Sequence, residues 1–134
     1  MSDDAGVSVQ GGPGEKPQVT VPGGPAPAGL VVHDLIEGEG DPAAPGATVT
    51  THYVGVGWDS GRQFDSSWDR GRTISFPLSR VIAGWQEGIP GMKPGGRRLL
   101  VIPGGMAYGD RPPPGSGIGR GEALVFVIDL EIAG

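Results

Sequence analysis

Only one stretch of this chain, Val81 to Ile89, carries the spacing of a helix. Val81, Ile82, Trp85 and Ile89 fall at i, i+1, i+4 and i+8 and make one apolar stripe. Gly84 and Gly88 each lower helix propensity by about 1 kcal/mol, and Pro90 closes the segment. A helix this short does not form alone, so it has to be held by packing on another layer. Elsewhere the apolar residues recur with period two. The chain therefore predicts an α+β fold, a curved antiparallel sheet of about five strands wrapped around one short helix.

The strand windows are legible as β-rich runs between turn clusters. Leu30–Ile36 is the first, ended by Glu37-Gly38-Glu39-Gly40-Asp41-Pro42. Ala47–Val56 follows, placing Val49, Thr51 and Tyr53 on one face and Thr48, Thr50 and His52 on the other. Arg62–Ser67 and Arg72–Phe76 flank a polar bend, and Arg97–Ile102 is stopped by Pro103-Gly104-Gly105. The last run, Ala123–Ile132, is the clearest. Leu124, Phe126, Ile128, Leu130 and Ile132 alternate with Val125, Val127, Asp129 and Glu131, so one face is apolar throughout and the other turns charged.

Residues 1–28 lack this order. Their only aliphatic side chains beyond alanine are Met1, Val7, Val9, Val19 and Val21, set among glycines and prolines. Such a segment is expected to stay a disordered Gly/Pro-rich tail, because it buries too little to offset its ordering entropy. The folded domain is then 29–134. The acidic start Met1-Ser2-Asp3-Asp4 has no apolar run behind it and does not read as a signal peptide. No run approaches the roughly 18 apolar residues of a membrane span. A net charge of −5 argues against nucleic acid as the main partner. The expectation is a cytoplasmic monomer.

The reactive inventory is thin. There is no cysteine, and the two histidines, His33 and His52, lie far apart, which disfavours thiolate and imidazole metal sites. No phosphate-binding glycine loop enters a long helix; Gly95-Gly96 reads as a tight turn into a strand. An enzyme with these tools works by shape, desolvation and a few hydrogen bonds. The aromatics Tyr53, Trp58, Phe64, Trp68, Phe76, Trp85, Tyr108 and Phe126 sit near turns, and several are placed to line one apolar pocket with Trp85 as its floor. An ordinary core accounts for Trp85 and Phe76 equally well. Tyr108 is different: it opens the loop that carries Pro112-Pro113-Pro114, where a phenol can donate to a ligand carbonyl.

Seven blocks stand in order along the chain. They are Val49–Gly55, Gly61-Arg62-Gln63-Phe64-Asp65-Ser66-Ser67, Val81-Ile82-Ala83-Gly84-Trp85 and Gly88-Ile89-Pro90-Gly91-Met92, then Ile102-Pro103, Ala107-Tyr108-Gly109 and Leu124-Val125-Phe126. Together they resemble the FKBP-type peptidyl-prolyl cis–trans isomerases, or immunophilins, in a minimal bacterial-like form. The resemblance runs from about Leu30 to Ile132. It implies the same fold and a catalytic set of Asp65, Tyr108, Phe126 and Trp85. It also implies substrate contacts from Tyr53, Phe64, Arg70, Ile74, Val81, Ile82 and Ile118, with Arg70 pairing Asp65.

No metal or cofactor is implied. The implied partners are proline-containing peptides, unfolded protein chains, and macrolides of the tacrolimus and rapamycin type. Two positions depart from the pattern: Ile74 stands where the family usually has an aromatic, and Ile118-Gly119-Arg120 replaces the usual Ile-Pro-Pro. A non-catalytic module binding proline loops or macrolides is the alternative. A scaffold whose aromatics are all core leaves Asp65 and Tyr108 unexplained.

Overall fold

A computed structural model of the chain describes residues 4–133. Eight strands and one α-helix follow in the order β1 (Ser8–Gln10), β2 (Gln18–Thr20), β3 (Val31–Ile36), β4 (Thr48–Gly57), β5 (Gln63–Ser66), β6 (Ile74–Pro77), α1 (Ala83–Gly88), β7 (Arg97–Ile102) and β8 (Leu124–Ala133). The main sheet is antiparallel with strand order β3-β7-β8-β4-β5, and β6 also pairs with β4. It has six strands where about five were expected. The short β6 shares one edge of β4 with β5: Thr48–Thr51 take β6, and Val54–Val56 take β5.

One face of this sheet carries the helix. Leu100, Ile102, Leu124, Phe126, Ile128 and Leu130 are buried there with Trp85, Ile89 and Met92. The two glycines that weaken α1 are what let it lie flat. A Cβ on Gly84 would stand 2.5 Å from Ile102 Cγ2, and one on Gly88 would stand 2.7 Å from Leu100 Cδ2. Tertiary packing overrides propensity here.

The opposite face also carries apolar residues: Val54, Val56, Leu99, Val101, Val125 and Val127 are buried. What covers them corrects the expectation of a disordered tail at 1–28. Over its described residues, that segment pairs β1 with β2 as an antiparallel ribbon. Val7 is buried, and Val9, Val19 and Val21 pack onto the same cluster. Arg97 clamps the ribbon's turn. Its guanidinium is buried, makes a two-point ion pair with Asp129 (2.8 and 2.9 Å), and donates to the carbonyls of Gly11 (3.2 Å) and Glu15 (2.7 Å). Further along, Trp58 Nε1 donates to the Gly24 carbonyl at 2.8 Å. The acidic start at residues 1–3 lies outside the described residues.

A second correction concerns Ile132, expected on the apolar face. The β4–β8 register runs Thr50 to Ile132 and then Thr51 to Leu130, so Glu131 is an extra residue. The bulge turns Ile132 outward, 60% exposed, and brings Ala133 onto the core in its place.

Candidate functional site

The cleft lies between the helix-bearing face of the sheet and the loops at its end. Tyr53, Phe64, Asp65, Arg80, Val81, Ile82, Trp85, Tyr108 and Phe126 line it. Its floor is aromatic. Trp85 meets Tyr53 and Phe126 edge-on, with ring centroids 5.3 and 5.1 Å apart, and Phe76 braces it from behind at 4.9 Å. Phe64 stands edge-on to Phe126 at 5.5 Å. Such edge-to-face pairs are favoured by the ring quadrupoles.

Two local features put these rings together. Gly55 lies beneath the Phe64–Phe126 pair, where a Cβ would come within 2.6 Å of Phe64 Cζ and 2.9 Å of Phe126 Cε1. The β4–β5 register also slips, pairing Gly55 with Asp65 and Val56 with Gln63, which leaves Phe64 as the extra residue of a bulge. Consecutive residues of a regular strand point to opposite faces. At this bulge Phe64 and Asp65 both line the same cleft.

Asp65 is held from three sides. Its Oδ2 accepts from the Tyr53 hydroxyl at 2.6 Å, while Oδ1 accepts from Arg70 Nη1 at 2.6 Å and from the Ser66 N–H at 2.9 Å. Arg70 Nη2 also donates to the Tyr53 oxygen at 2.9 Å. Burial on its own pushes the Asp65 carboxyl up, but the Tyr53 and Arg70 hydrogen bonds outweigh it and hold the group below its ordinary range. The Tyr53 phenol is pushed up to about 12, by burial first and then by the hydrogen bond to Asp65. Asp65 is therefore a fixed carboxylate at neutral pH and Tyr53 a fixed neutral donor.

Behind this rim, Ser67 Oγ accepts from the Tyr53 N–H at 2.6 Å and bonds His52 Nδ1 at 2.8 Å. His52 stacks on Trp68 with centroids 4.0 Å apart. The bend between β5 and β6 is thereby pinned to β4, which keeps Arg70 in reach of Asp65.

Eight of the eleven expected site residues come together: Tyr53, Phe64, Asp65, Val81, Ile82, Trp85, Tyr108 and Phe126. Tyr108 is 36% exposed, and its hydroxyl has no partner among the described residues. Ile82 caps the N-terminal end of α1, where its N–H has no acceptor within the helix. The other three stand off the cleft wall. Arg70 acts on Asp65 and Tyr53, while Ile74 and Ile118 pack half-buried against the core cluster beneath. Arg80 lines the cleft without having been expected there. It follows the last strand residue of β6 in a single 3₁₀ turn, Leu78–Arg80, which no apolar period announces.

Comparison with known proteins gives a consistent result. The family described as FKBP-type peptidyl-prolyl cis-trans isomerase matches residues 40–131. The chain is 61% identical to a probable FK506-binding protein of Corynebacterium glutamicum, over 87% of this chain and 97% of that protein. It is 52% identical to an FK506-binding protein of Streptomyces anulatus, over 87% and 95% of the two chains. Among solved structures, AtFKBP13 superposes with a TM-score of 0.71 at 36% identity, covering 81% of this chain and 96% of that one. FkpA from Escherichia coli also gives 0.71, at 39% identity, covering 78% of this chain and 47% of that one.

Proposed function

The chain belongs to the FKBP-type peptidyl-prolyl cis–trans isomerases, and from that premise we propose that its cleft accelerates X–Pro rotation by desolvating the bond and holding it twisted. Rotation is slow because amide resonance sets a barrier of about 18–20 kcal/mol. Resonance places negative charge on the carbonyl oxygen, a state that water stabilises and an apolar site does not. A proline ring seated on Trp85, between Phe126, Phe64 and Val81, takes the bond out of water. It thereby favours the twisted, less polar transition state.

Few polar groups are needed. The Tyr108 hydroxyl, free at the cleft mouth, donates to a substrate carbonyl, and the Ile82 N–H anchors another. Asp65, with its oxygens already engaged by Tyr53, Arg70 and Ser66, keeps the Phe64 side of the cleft open. It also presents a fixed negative charge beside the twisting carbonyl carbon. No bond to the protein forms. Arg70 is a positioning residue in this reading, acting through Asp65 and Tyr53. The substrates are X–Pro bonds in peptides and in unfolded or flexible protein segments. The same aromatic cleft suits macrolides of the rapamycin and tacrolimus type, and the relatives are named for binding FK506.

The observation that carries this reading is the aromatic floor of Tyr53, Trp85 and Phe126, bordered by Asp65 and by the free Tyr108 hydroxyl. It is tested by following cis–trans relaxation of a Leu-Pro tetrapeptide with purified protein, with and without rapamycin. Acceleration abolished by rapamycin is expected. Tight rapamycin binding without acceleration would favour recognition alone, with the Ile118-Gly119-Arg120 loop as the first suspect. The absence of both binding and acceleration would overturn the mechanism.

A further inference from the structure

A second cleft adjoins the first on the outer side of Phe64. It lies between the β4–β5 turn and the loop after Tyr108, lined by Ser60, Arg62, Gln63, Phe64 and Ser116 among others. Phe64 is common to both clefts. A peptide whose proline sits on Trp85 can therefore lay a flanking residue against Arg62. On the helix side of the same proline it meets Arg80.

The charge arrangement around these clefts is one-sided. Three carboxylates beside these clefts are engaged within the protein. Asp65 serves Tyr53 and Arg70, and Asp69 serves Lys16 at 2.7 Å and Gln63 at 2.7 Å. Glu122, buried beneath Gly57, accepts from the N–H groups of Asp59, Ser60 and Gly119 at 2.9, 3.2 and 2.8 Å. The two arginines are not engaged. Neither the Arg62 nor the Arg80 guanidinium has an ion pair or a side-chain hydrogen bond among the described residues, although the exposed Asp59 shares a turn with Arg62. On a chain of net charge −5, the unpaired cations thus stand on either side of the substrate's path.

We propose that Arg62 and Arg80 are specificity-determining residues that select X–Pro segments with acidic residues flanking the proline. Arg62 takes a carboxylate in the outer cleft, where Ser60 and Ser116 add hydroxyls, and Arg80 takes one at the helix side. Low-dielectric walls concentrate the field of a cation in a cleft, and a guanidinium matches a carboxylate with two parallel donors. The inference rests on the isomerase reading above and narrows its substrates to one charge class.

The test compares kcat/KM at low salt for tetrapeptide and hexapeptide Leu-Pro substrates that differ only in flanking residues: Glu, Gln or Lys. Each acidic flank is expected to raise kcat/KM about two- to fivefold over Gln, the range of a solvent-exposed ion pair. A Lys flank is expected to lower it. The preference should shrink as ionic strength rises. R62E is expected to reverse it for flanks on one side of the proline and R80E for the other, while R62K and R80K keep most of it. Equal kcat/KM for the three flanks, or a preference untouched by R62E and R80E, would overturn the proposal with the isomerase activity still standing. No catalysis on any of the peptides would overturn both.

Discussion

The two faces of the main sheet are built from similar residues and put to different uses. On the helix side, each large side chain has two duties. Trp85, Phe126 and Tyr53 are core residues, and the same rings form the cleft floor. On the ribbon side, Val54, Val56, Leu99, Val101, Val125 and Val127 are buried as packing, and none of them lines the clefts described above. The covers differ as well. A helix reaches the first face through two missing Cβ atoms, whereas a ribbon is tied to the second by one buried guanidinium. A substitution on the helix face therefore moves stability and activity together, and one on the ribbon face separates them.

The strongest challenge to this contrast is Trp85→Ala. It is expected to cost about 3–5 kcal/mol of stability and to remove most isomerisation, read by urea unfolding and by the Leu-Pro assay. A variant that stays active would break the shared duty. Next comes truncation of residues 1–21. Uncovering the valine face is expected to cost about 3 kcal/mol and to raise binding of a hydrophobic dye. The kcat/KM on a Gln-flanked peptide should stay within about twofold, and a collapse of activity would make the ribbon part of the catalytic apparatus.

Tyr53 gives a pH test of the helix face. Its folded pKa of about 12 lies above the unfolded value near 10. The folded chain thus keeps a proton that the unfolded chain releases. Its contribution is complete below about pH 10 and is lost as pH rises through about 12. In Tyr108→Phe, whose only phenol is Tyr53, the tyrosinate absorbance should rise near pH 12; a rise near 10 would mean that Tyr53 is neither buried nor bonded to Asp65 as described. Gly84→Ala should cost about 1–3 kcal/mol by overpacking against Ile102, against the gain that alanine gives an ordinary helix. A stabilised variant would show that the helix does not need the close approach.

The smallest effect is expected from Asp65. Its lowered folded pKa contributes stability above the ordinary carboxylate range, lost as pH falls through the folded value. Asp65→Asn should flatten the acid limb of the stability profile and, by removing one cause of the raised Tyr53 pKa, move the alkaline limb to lower pH.

The two faces also differ in how plainly they are written in the sequence. The windows read at 30–36, 47–56 and 97–102 fall within a residue of β3, β4 and β7. The first and last follow from apolar runs ended by turn clusters, the middle one from alternation, and the helix from one stripe. Resemblance supplied the site residues, and eight of them share the cleft. Local irregularity leaves no such mark. Alternation cannot reveal the extra residue at Glu131 that turns Ile132 outward, nor the one at Phe64 that gives it the same face as Asp65. The ribbon did leave a trace: Val7 and Val9, then Val19 and Val21, keep strand period two, and β8's second face holds Val125 and Val127 with nothing assigned to cover them. Glycine and proline density hid that trace, because three-residue strands carry too few positions to outweigh it. Arg80 left none.

The Arg97 clamp has a consequence for the order in which the chain is made. Its acceptors at Gly11 and Glu15 lie 86 and 82 residues before it, and its carboxylate partner Asp129 lies 32 residues after it. The ribbon is made before β8, yet its docking surface needs that later strand. Pairings this distant in sequence form late. The ribbon therefore waits while the residues between it and β8 are made, and the valine face of the growing sheet closes only after that strand is in place.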